Sequence, residues 1–380
     1  MKSYKSHFSR FLEGAPERLH FAAHSHHAWP DVSFDAHCQA WTDAAQMIDH
    51  KWNRVFSEVI PEAQKHIARR LRLPDASSIV FATNTHEFVV RLHSALPAQA
   101  NILCSDAEFH SFQRQQKRWQ EAGLVTTEEV PAEPLQSFGE RFIAAAEAGN
   151  HSMVYLSQVF FSSSYVVDIL EELADVLKDR ETLLVIDGYH AFMALPVDLS
   201  RIASRIFYIA GGYKYAMSGE GVCFMHCPPG FAPRPVNTGW FAGFEGLSDG
   251  VKQVGYSEDG QRFAGATFDP SGLYRFNAVQ RWLLEQGLSV EMIHTRIRTL
   301  QEQFLDGLEA RKLDLGELIP GRDAPDRGHF LTFRSERSEE RCTQLDKAGV
   351  MVDSRGDRLR FGFAIYHDPE DVDALLERLS

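Results

Sequence analysis

Short apolar runs alternate with amphipathic stretches along the first two thirds of the chain. Each run is long enough for one strand, and the stretches between the runs repeat apolar residues at helical spacing. Continuous apolar strands separated by helices are typical of a largely parallel sheet that is covered on both faces. The sequence therefore predicts an α/β fold with a mostly parallel sheet between helices. The predicted strands are residues 77–82, 101–104, 153–161, 183–186 and 205–209.

The last third of the chain has a different pattern. Residues 273–286 and 290–308 have helical periodicity, whereas residues 330–333 and 359–365 are predicted strands. This order indicates a smaller α+β domain at the C-terminus. The three expected parts are an N-terminal arm at residues 1–20 that packs on the small domain, a large domain at residues 21–268 and a small domain at residues 269–380.

Composition and charge narrow the function classes. The chain has 380 residues, of which 44% are hydrophobic, so it can form sizeable cores. A formal net charge of −13 without a local lysine and arginine cluster argues against a nucleic-acid partner. There is no apolar run long enough to span a bilayer and no N-terminal secretion signal. We therefore expect a cytoplasmic protein with no membrane contact.

The cysteines point to packing and not to a disulfide framework or a metal. Five scattered cysteines in a chain of this length fit reduced thiols. Cys223 and Cys227 have a spacing that could suit zinc, but no second pair of ligands accompanies them. Cys223 also lies in an apolar, strand-like run, so packing is favoured and no metal site is expected.

Several candidate site residues lie at or just after the ends of predicted strands. In open α/β sheets, ligands bind beyond the carboxyl ends of the strands. Because the strands are predicted to be parallel, these side chains should meet at one edge of the sheet. The residues are Thr85, Phe109, Gln158, Asp187 and Lys214.

The turn after the first predicted strand, residues 83–87, has two interpretations. A strand, a polar turn and a helix N-terminus form an anion site, to which Thr85 and His86 could add side-chain donors. The same residues could instead cap the helix, with Thr83 or Asn84 at the cap and Glu87 near its third position. Both interpretations are equally supported by the sequence.

Lys214 and Asp187 are the candidates for covalent and electrostatic chemistry. Lys214 lies between two tyrosines on glycine-rich backbone, an environment that suits a lysine with a lowered pKa that forms an imine. By itself, such a run is more often a surface turn. Asp187 follows four apolar residues, and a buried acid there needs a cationic partner. A protonated pyridine nitrogen would be such a partner, whereas the structural alternative is a helix cap.

Three segments carry a resemblance to a known family. Asp187-Gly-Tyr-His190-Ala is similar to an Asp-x-x-His-Ala element, Gly212-Tyr-Lys-Tyr215 is similar to a Tyr-Lys-Tyr segment, and residues 84–87 occupy the place of a Thr-Thr-Glu phosphate loop. Together they resemble the fold-type I, pyridoxal-phosphate-dependent aminotransferase class V superfamily, and within it the kynureninase-like branch. In the phosphate loop, His86 replaces the second threonine.

The resemblance implies a cofactor, its ligands and an assembly. It implies that pyridoxal 5′-phosphate is bound by Lys214 and that Asp187 contacts the ring nitrogen, with Tyr213 as a third catalytic residue that contacts the phosphate. It also implies a homodimer with active sites at the subunit interface, because the region of Thr267 reaches the neighbouring subunit's phosphate. The further cofactor contacts that it implies are Thr85, His86, Phe109, Gln158, His190 and Trp240.

The substrate is implied to be an amino acid. Arg360 lies in a segment similar to the strand whose arginine binds the substrate α-carboxylate, which suits a bidentate guanidinium. The alternative for Arg360 is an ion pair with Asp357 or Glu370 at a strand edge. Ser25 occupies the place of a substrate-binding serine, although the surrounding loop, His24-Ser-His-His, differs from the family pattern.

For the reaction, the resemblance favours kynureninase-like hydrolysis or lysis at the β-carbon. Transamination is the alternative within the family, and a non-catalytic binding protein on the same scaffold is the alternative of another class. We do not expect a cysteine desulfurase, because residues 352–358 contain no nucleophilic cysteine before the arginine strand.

Overall fold

The computed structural model describes residues 1–246 and 253–380. Seven strands form one sheet in the order β2-β8-β7-β6-β5-β3-β4, in which β8 is antiparallel to both of its neighbours and the other paired strands are parallel. The strands of this sheet are β2 (Ile79–Ala82), β3 (Ala100–Ser105), β4 (Val125–Val130), β5 (Met153–Ser157), β6 (Leu183–Asp187), β7 (Ile206–Gly211) and β8 (Cys223–His226).

Both faces of the central strands are buried, which explains their unbroken apolar sequences. Leu184 and Ile186 of β6 belong to one hydrophobic core, and Leu183 and Val185 belong to a second core on the opposite face. Side chains alternate between faces along a strand, so burial of both faces leaves no polar position. The predicted α/β fold with a mostly parallel sheet is confirmed.

The helices cover the sheet and build the C-terminal part. They are α1 (Ser9–Leu12), α2 (Asp31–Met47), α3 (Lys51–Arg54), α4 (Ile60–Leu71), α5 (Thr85–His93), α6 (His110–Glu121), α7 (Phe138–Ala148), α8 (Leu170–Val176), α9 (Ser271–Glu285), α10 (Val290–Ala310), α11 (Ser338–Lys347) and α12 (Pro369–Leu379). The long helices α2 and α9 contact each other, and α10 contacts α12.

A second, antiparallel sheet lies in the C-terminal part, in the order β12-β13-β10-β9. In the β12–β13 pair, Asp353 lies directly opposite Arg360. A short parallel pair, β1 with β11, joins the N-terminal segment to this part of the chain. The bounds of these strands are β1 (Leu19–His20), β9 (Glu317–Ile319), β10 (Phe330–Arg334), β11 (Val350–Met351), β12 (Asp353–Arg355) and β13 (Arg358–Gly362).

The N-terminal segment contacts the C-terminal helix α12. The Ser3 hydroxyl donates to Asp368 at 2.5 Å, and the Lys5 ammonium lies 2.7 Å from Asp371. These contacts accompany the β1–β11 pair and support the proposal that residues 1–20 pack on the C-terminal part. The division into residues 1–20, 21–268 and 269–380 stays a prediction. Within the described parts of the chain, none of the helices has the length and apolar character needed to cross a membrane.

Candidate active site

A cavity of about 370 Å³ lies beyond the carboxyl ends of β5 and β6. We call it the Lys214 cavity. Its wall combines residues of the large sheet, the N-terminal segment and the β12–β13 pair. The predicted site residues that it brings together are Ser25, Thr85, Phe109, Asp187, His190, Tyr213, Lys214 and Arg360.

Lys214 is held among aromatic groups. Its Nζ contacts His190 Nε2 and lies 5.3 Å from the ring centroids of both Phe109 and Tyr189. Burial lowers the pKa of Lys214 to about 7, although the nearby Asp187 carboxylate opposes this shift. Burial and the Lys214 charge hold the pKa of His190 well below its usual range, so the imidazole is neutral. Lys214 is therefore partly a free amine at neutral pH.

Asp187 ends β6 with its carboxylate fixed by two donors. It accepts hydrogen bonds from the Tyr155 hydroxyl and the Tyr189 backbone N–H, each at 2.9 Å. Burial raises the pKa of Asp187, and the two hydrogen bonds counteract that shift. Within the described residues Asp187 forms no ion pair, so its carboxylate is available to a cation in the cavity.

Glu108 is a second buried acid at this edge, and our sequence reasoning did not assign it a role. Its carboxylate accepts from the Ser105 hydroxyl at 2.6 Å and from the Ser157 backbone N–H at 2.9 Å. Burial raises the pKa of Glu108 to about 8. These bonds tie the residue before Phe109 to the end of β5, and thereby fix the aromatic wall of the cavity.

The turn before α5 caps the helix and also lines the cavity, so the predicted anion site stays a prediction. Asn84 is the N-cap, because its side-chain oxygen accepts from the Glu87 backbone N–H at 3.0 Å. Thr85 begins the helix and lines the cavity, so the positive end of the helix dipole faces the space where an anion would bind. His86 is exposed and bonds to Gln115, 3.1 Å away, outside the cavity.

Arg360 is buried and its guanidinium is fixed by three hydrogen bonds. Its Nε and Nη2 donate to the two oxygens of Asp353 at 2.7 and 2.5 Å, and Nη1 donates to the Phe161 carbonyl at 2.5 Å. Burial by itself raises the pKa of Asp353, but His24 and Arg360 hold it below its usual range. The anticipated partners Asp357 and Glu370 are therefore replaced by Asp353, which faces Arg360 across the sheet.

Three further predicted residues lie away from the Lys214 cavity. The Gln158 amide oxygen accepts from the Tyr208 hydroxyl at 2.9 Å, and Gln158 faces a different cleft. Thr267 lines a separate cavity of about 300 Å³ next to Thr83. Trp240 is 45% exposed and begins the 3-10 segment Trp240–Gly246. Within this single chain, none of the three contacts the space around Lys214.

Several wall residues were missed by sequence reasoning. The period-two alternation of strands could have placed Asp353 and Arg355 beside Arg360 once the hairpin around Gly356 was recognised. His24 and Tyr189 had no such signal, because their positions depend on loops. Residues of the wall that were not predicted include His24, Tyr189, Arg355 and Cys223, and Asp353 contacts His24.

The arrangement fits pyridoxal phosphate. The Asp187 carboxylate is buried and forms no ion pair within the described residues. Thr85 begins α5 at the cavity, and the Phe109 ring forms part of the cavity wall. Together with the Lys214 amine, these are the groups that a protonated pyridine ring, a phosphate and an aldehyde require. The fold and the site therefore define a pyridoxal-phosphate-dependent enzyme of fold type I.

Comparison with protein families gives the same result. The model of the aminotransferase class-V family matches residues 37–375, and the chain belongs to this family. A curated relative, isopenicillin N epimerase of Streptomyces clavuligerus, is 29% identical over 177 residues, which cover 45% of this chain and 42% of that protein. The matched segment thus spans less than half of that relative's length.

Solved structures share the fold over nearly the whole chain. A cystine C–S lyase, C-DES, in complex with its product cysteine persulfide, has a TM-score of 0.81 at 19% identity and covers 97% of this chain and 98% of its own. A C-DES variant with glycine linked to its pyridoxal phosphate has a TM-score of 0.82 at 18% identity, with coverages of 100% and 99%. The cysteine desulfurase of Thermococcus onnurineus NA1 has a TM-score of 0.78 at 17% identity, with coverages of 99% and 97%.

These similarities overturn one prediction. The exclusion of a cysteine desulfurase was wrong, because the structurally similar proteins include a cystine C–S lyase and cysteine desulfurases. A missing cysteine in residues 352–358 excludes only sulfur transfer to an enzyme cysteine on that loop. A lyase that releases a persulfide as its product, as the name of the C-DES complex states, needs no such residue.

Replacing Lys214 with Met is expected to stabilise the apo protein at pH 7 by roughly 1–2 kcal/mol, because a buried amine is removed. The folded-state pKa of about 7 lies below the ordinary lysine value of 10.5, so the unfolded chain binds more protons between these two pH values. Wild-type stability therefore rises with pH across this window, and the gain from Lys214→Met shrinks towards pH 10. Urea unfolding at both pH values measures this.

The matched control is Lys65→Met, which changes an exposed lysine on α4. It is expected to leave the difference between the two pH values unchanged. A Lys214→Met protein that is no more stable than wild type at pH 7 would contradict the lowered pKa.

Proposed function

We propose that the protein removes the α-proton of an amino acid and cleaves a bond to its β-carbon, using pyridoxal phosphate. The observation that carries this proposal is the buried contact of the Lys214 amine with the neutral His190 imidazole. A lysine with a pKa of about 7 can act as a base and then return the proton at neutral pH. The His190 Nε2 gives the Lys214 Nζ a hydrogen-bond partner within the same cavity.

Each wall residue has a defined task in this proposal. When bound, pyridoxal phosphate supplies an electron-withdrawing ring that stabilises negative charge at the substrate α-carbon. Asp187 provides the negative charge that keeps the ring nitrogen protonated, and the Tyr155 hydroxyl holds that carboxylate in place. Phe109 excludes water from one face of the cavity, and Arg360 orients the substrate α-carboxylate.

Two leaving groups are considered at the β-carbon. Cleavage of a carbon–sulfur bond is supported by the fold shared with a cystine C–S lyase and with cysteine desulfurases. Kynureninase-like hydrolysis of a carbon–carbon bond is the second candidate, supported by Phe109 and Tyr213 in the cavity wall. Trp240 adds no support to it, because in this chain it lies away from Lys214.

Product analysis of the holoenzyme tests the proposal. With L-cystine, carbon–sulfur cleavage is expected to give pyruvate, ammonia and cysteine persulfide, whereas hydrolysis of L-kynurenine gives alanine and an aromatic acid. Transamination would instead give a keto acid while the cofactor changes to its amine form, and that result would contradict β-cleavage. Bound cofactor with no turnover of these amino acids or of a wider amino-acid screen would favour a binding protein. Lys214→Ala is the negative control.

A further inference from the structure

A second arginine of the Lys214 cavity is not explained by the function proposed above. Arg355 ends β12 and lines the same cavity as Lys214 and Arg360. It is exposed, and within residues 1–246 and 253–380 its side chain donates no hydrogen bond and forms no ion pair. An arginine at a cavity wall without its own carboxylate leaves its five N–H donors to solvent or to a ligand.

The two arginines of the cavity differ because Arg360 has a carboxylate partner and Arg355 has none among the described residues. Both oxygens of Asp353 are taken by Arg360, which lies opposite Asp353 in the β12–β13 pair. Arg355 is two residues further along β12 and therefore emerges on the same side of the strand as Asp353. Because the only acid of β12, Asp353, is bound to Arg360, β12 has no carboxylate left to pair with Arg355.

The charges of Arg355, Arg360 and Lys214 are close enough to influence one another. The positive charges of Arg355 and Arg360 both lower the pKa of Lys214, whereas the Asp187 and Asp353 carboxylates raise it. Asp353 is paired with Arg360, so the repulsion between Arg355 and Lys214 has no such ion pair to offset it. Glu220 also lines the cavity, but it forms no ion pair with Arg355 among the described contacts. An anion placed next to Arg355 would offset this repulsion, and a guanidinium binds carboxylates in a bidentate manner.

We propose that Arg355 binds a second anionic group of the substrate, at the end of the side chain remote from the α-carboxylate. The preferred substrates are then amino acids that carry two carboxylates or an equivalent anionic side chain. This inference rests on the proposed function, because it assigns the α-carboxylate to Arg360. It makes Arg355 a specificity residue that determines which amino acid enters the cavity.

Binding of simple acids to the holoenzyme tests this proposal without turnover. Isothermal titration calorimetry would compare succinate, glutarate and adipate with butyrate, valerate and hexanoate, which have the same numbers of carbons. In the wild type, at least one diacid is expected to bind about tenfold more tightly than its monoacid partner, as a single charged hydrogen-bonded contact would give. Arg355→Gln is expected to abolish that preference.

Arg358→Gln is the matched control, since Arg358 lies three residues away and bonds to Glu133 outside the cavity, at 2.8 Å. It is expected to keep the preference for the diacid. Equal binding of all acids to the wild type, or an unchanged preference in Arg355→Gln, would overturn the proposal. Loss of pyridoxal phosphate absorbance from Arg355→Gln would also overturn it, because Arg355 would then hold the cofactor. Failure of β-cleavage alone leaves these binding results intact, so the two proposals fail separately.

Discussion

Lys214→Ala is expected to reduce turnover by at least about 10³-fold, because it removes both the covalent attachment point and the base. It should also remove the visible absorbance band of lysine-bound pyridoxal phosphate. Lys214 is the lysine that lines the cavity in the described parts of the chain, so another lysine cannot take over at this position. Steady-state assays and absorbance spectra of the purified, cofactor-supplemented proteins measure both effects.

Lys178→Ala is the control for this experiment, because Lys178 is exposed and far from the cavity wall. It is expected to leave turnover and the absorbance band unchanged. Residual turnover near the wild-type level in folded Lys214→Ala would refute the assignment of Lys214. If folded wild type shows no band with excess cofactor, the enzyme hypothesis itself fails.

Asp187→Asn is expected to reduce turnover by about 10²–10³-fold, as the loss of a preorganised electrostatic group typically does. The amide is nearly the same size as the carboxylate but has no charge, so it cannot keep a pyridine nitrogen protonated. The apo variant should be at least as stable as wild type, because a buried carboxylate without a cation is replaced by a neutral group. Turnover assays and urea unfolding of the apo protein separate the two effects.

Tyr155→Phe provides the comparison for Asp187→Asn. It removes the hydroxyl that donates to Asp187 at 2.9 Å but keeps the negative charge in place. We expect less than about a tenfold loss of turnover, since one hydrogen bond contributes about 1 kcal/mol. If Tyr155→Phe is as inactive as Asp187→Asn, then Asp187 contributes to turnover through the position of its carboxylate and not through its charge.

The central strands were predictable because burial on both faces leaves an unbroken apolar sequence. The predicted strand at residues 183–186 corresponds to β6, and that at residues 205–209 corresponds to β7. The strand β4 was not predicted, since it lies at the edge of the sheet and its sequence, Val-Thr-Thr-Glu-Glu-Val, includes exposed polar residues. An edge strand is partly solvated and therefore has no such apolar signature.

Gln158 shows that a position just after a strand end does not by itself place a side chain in the cavity. It follows Ser157, the last residue of β5, and was expected next to the cofactor. Ser157 and Val159 line the Lys214 cavity, whereas Gln158 faces the cleft on the other side and bonds to Tyr208. Neighbouring residues of an extended chain point in opposite directions, so a shift of one residue changes the side on which a group lies.

By itself, the sequence determined the fold class and the central pair of the site, Lys214 and Asp187. Asp187 ends β6 and Lys214 follows β7, and the apolar sequences of these strands place both residues at one edge of the sheet. Only the tertiary structure decided that Asp353 binds Arg360, that Arg355 keeps no partner of its own in the described chain, and that Lys214 contacts His190. These contacts join segments far apart in sequence, so their geometry follows from packing and not from any local pattern.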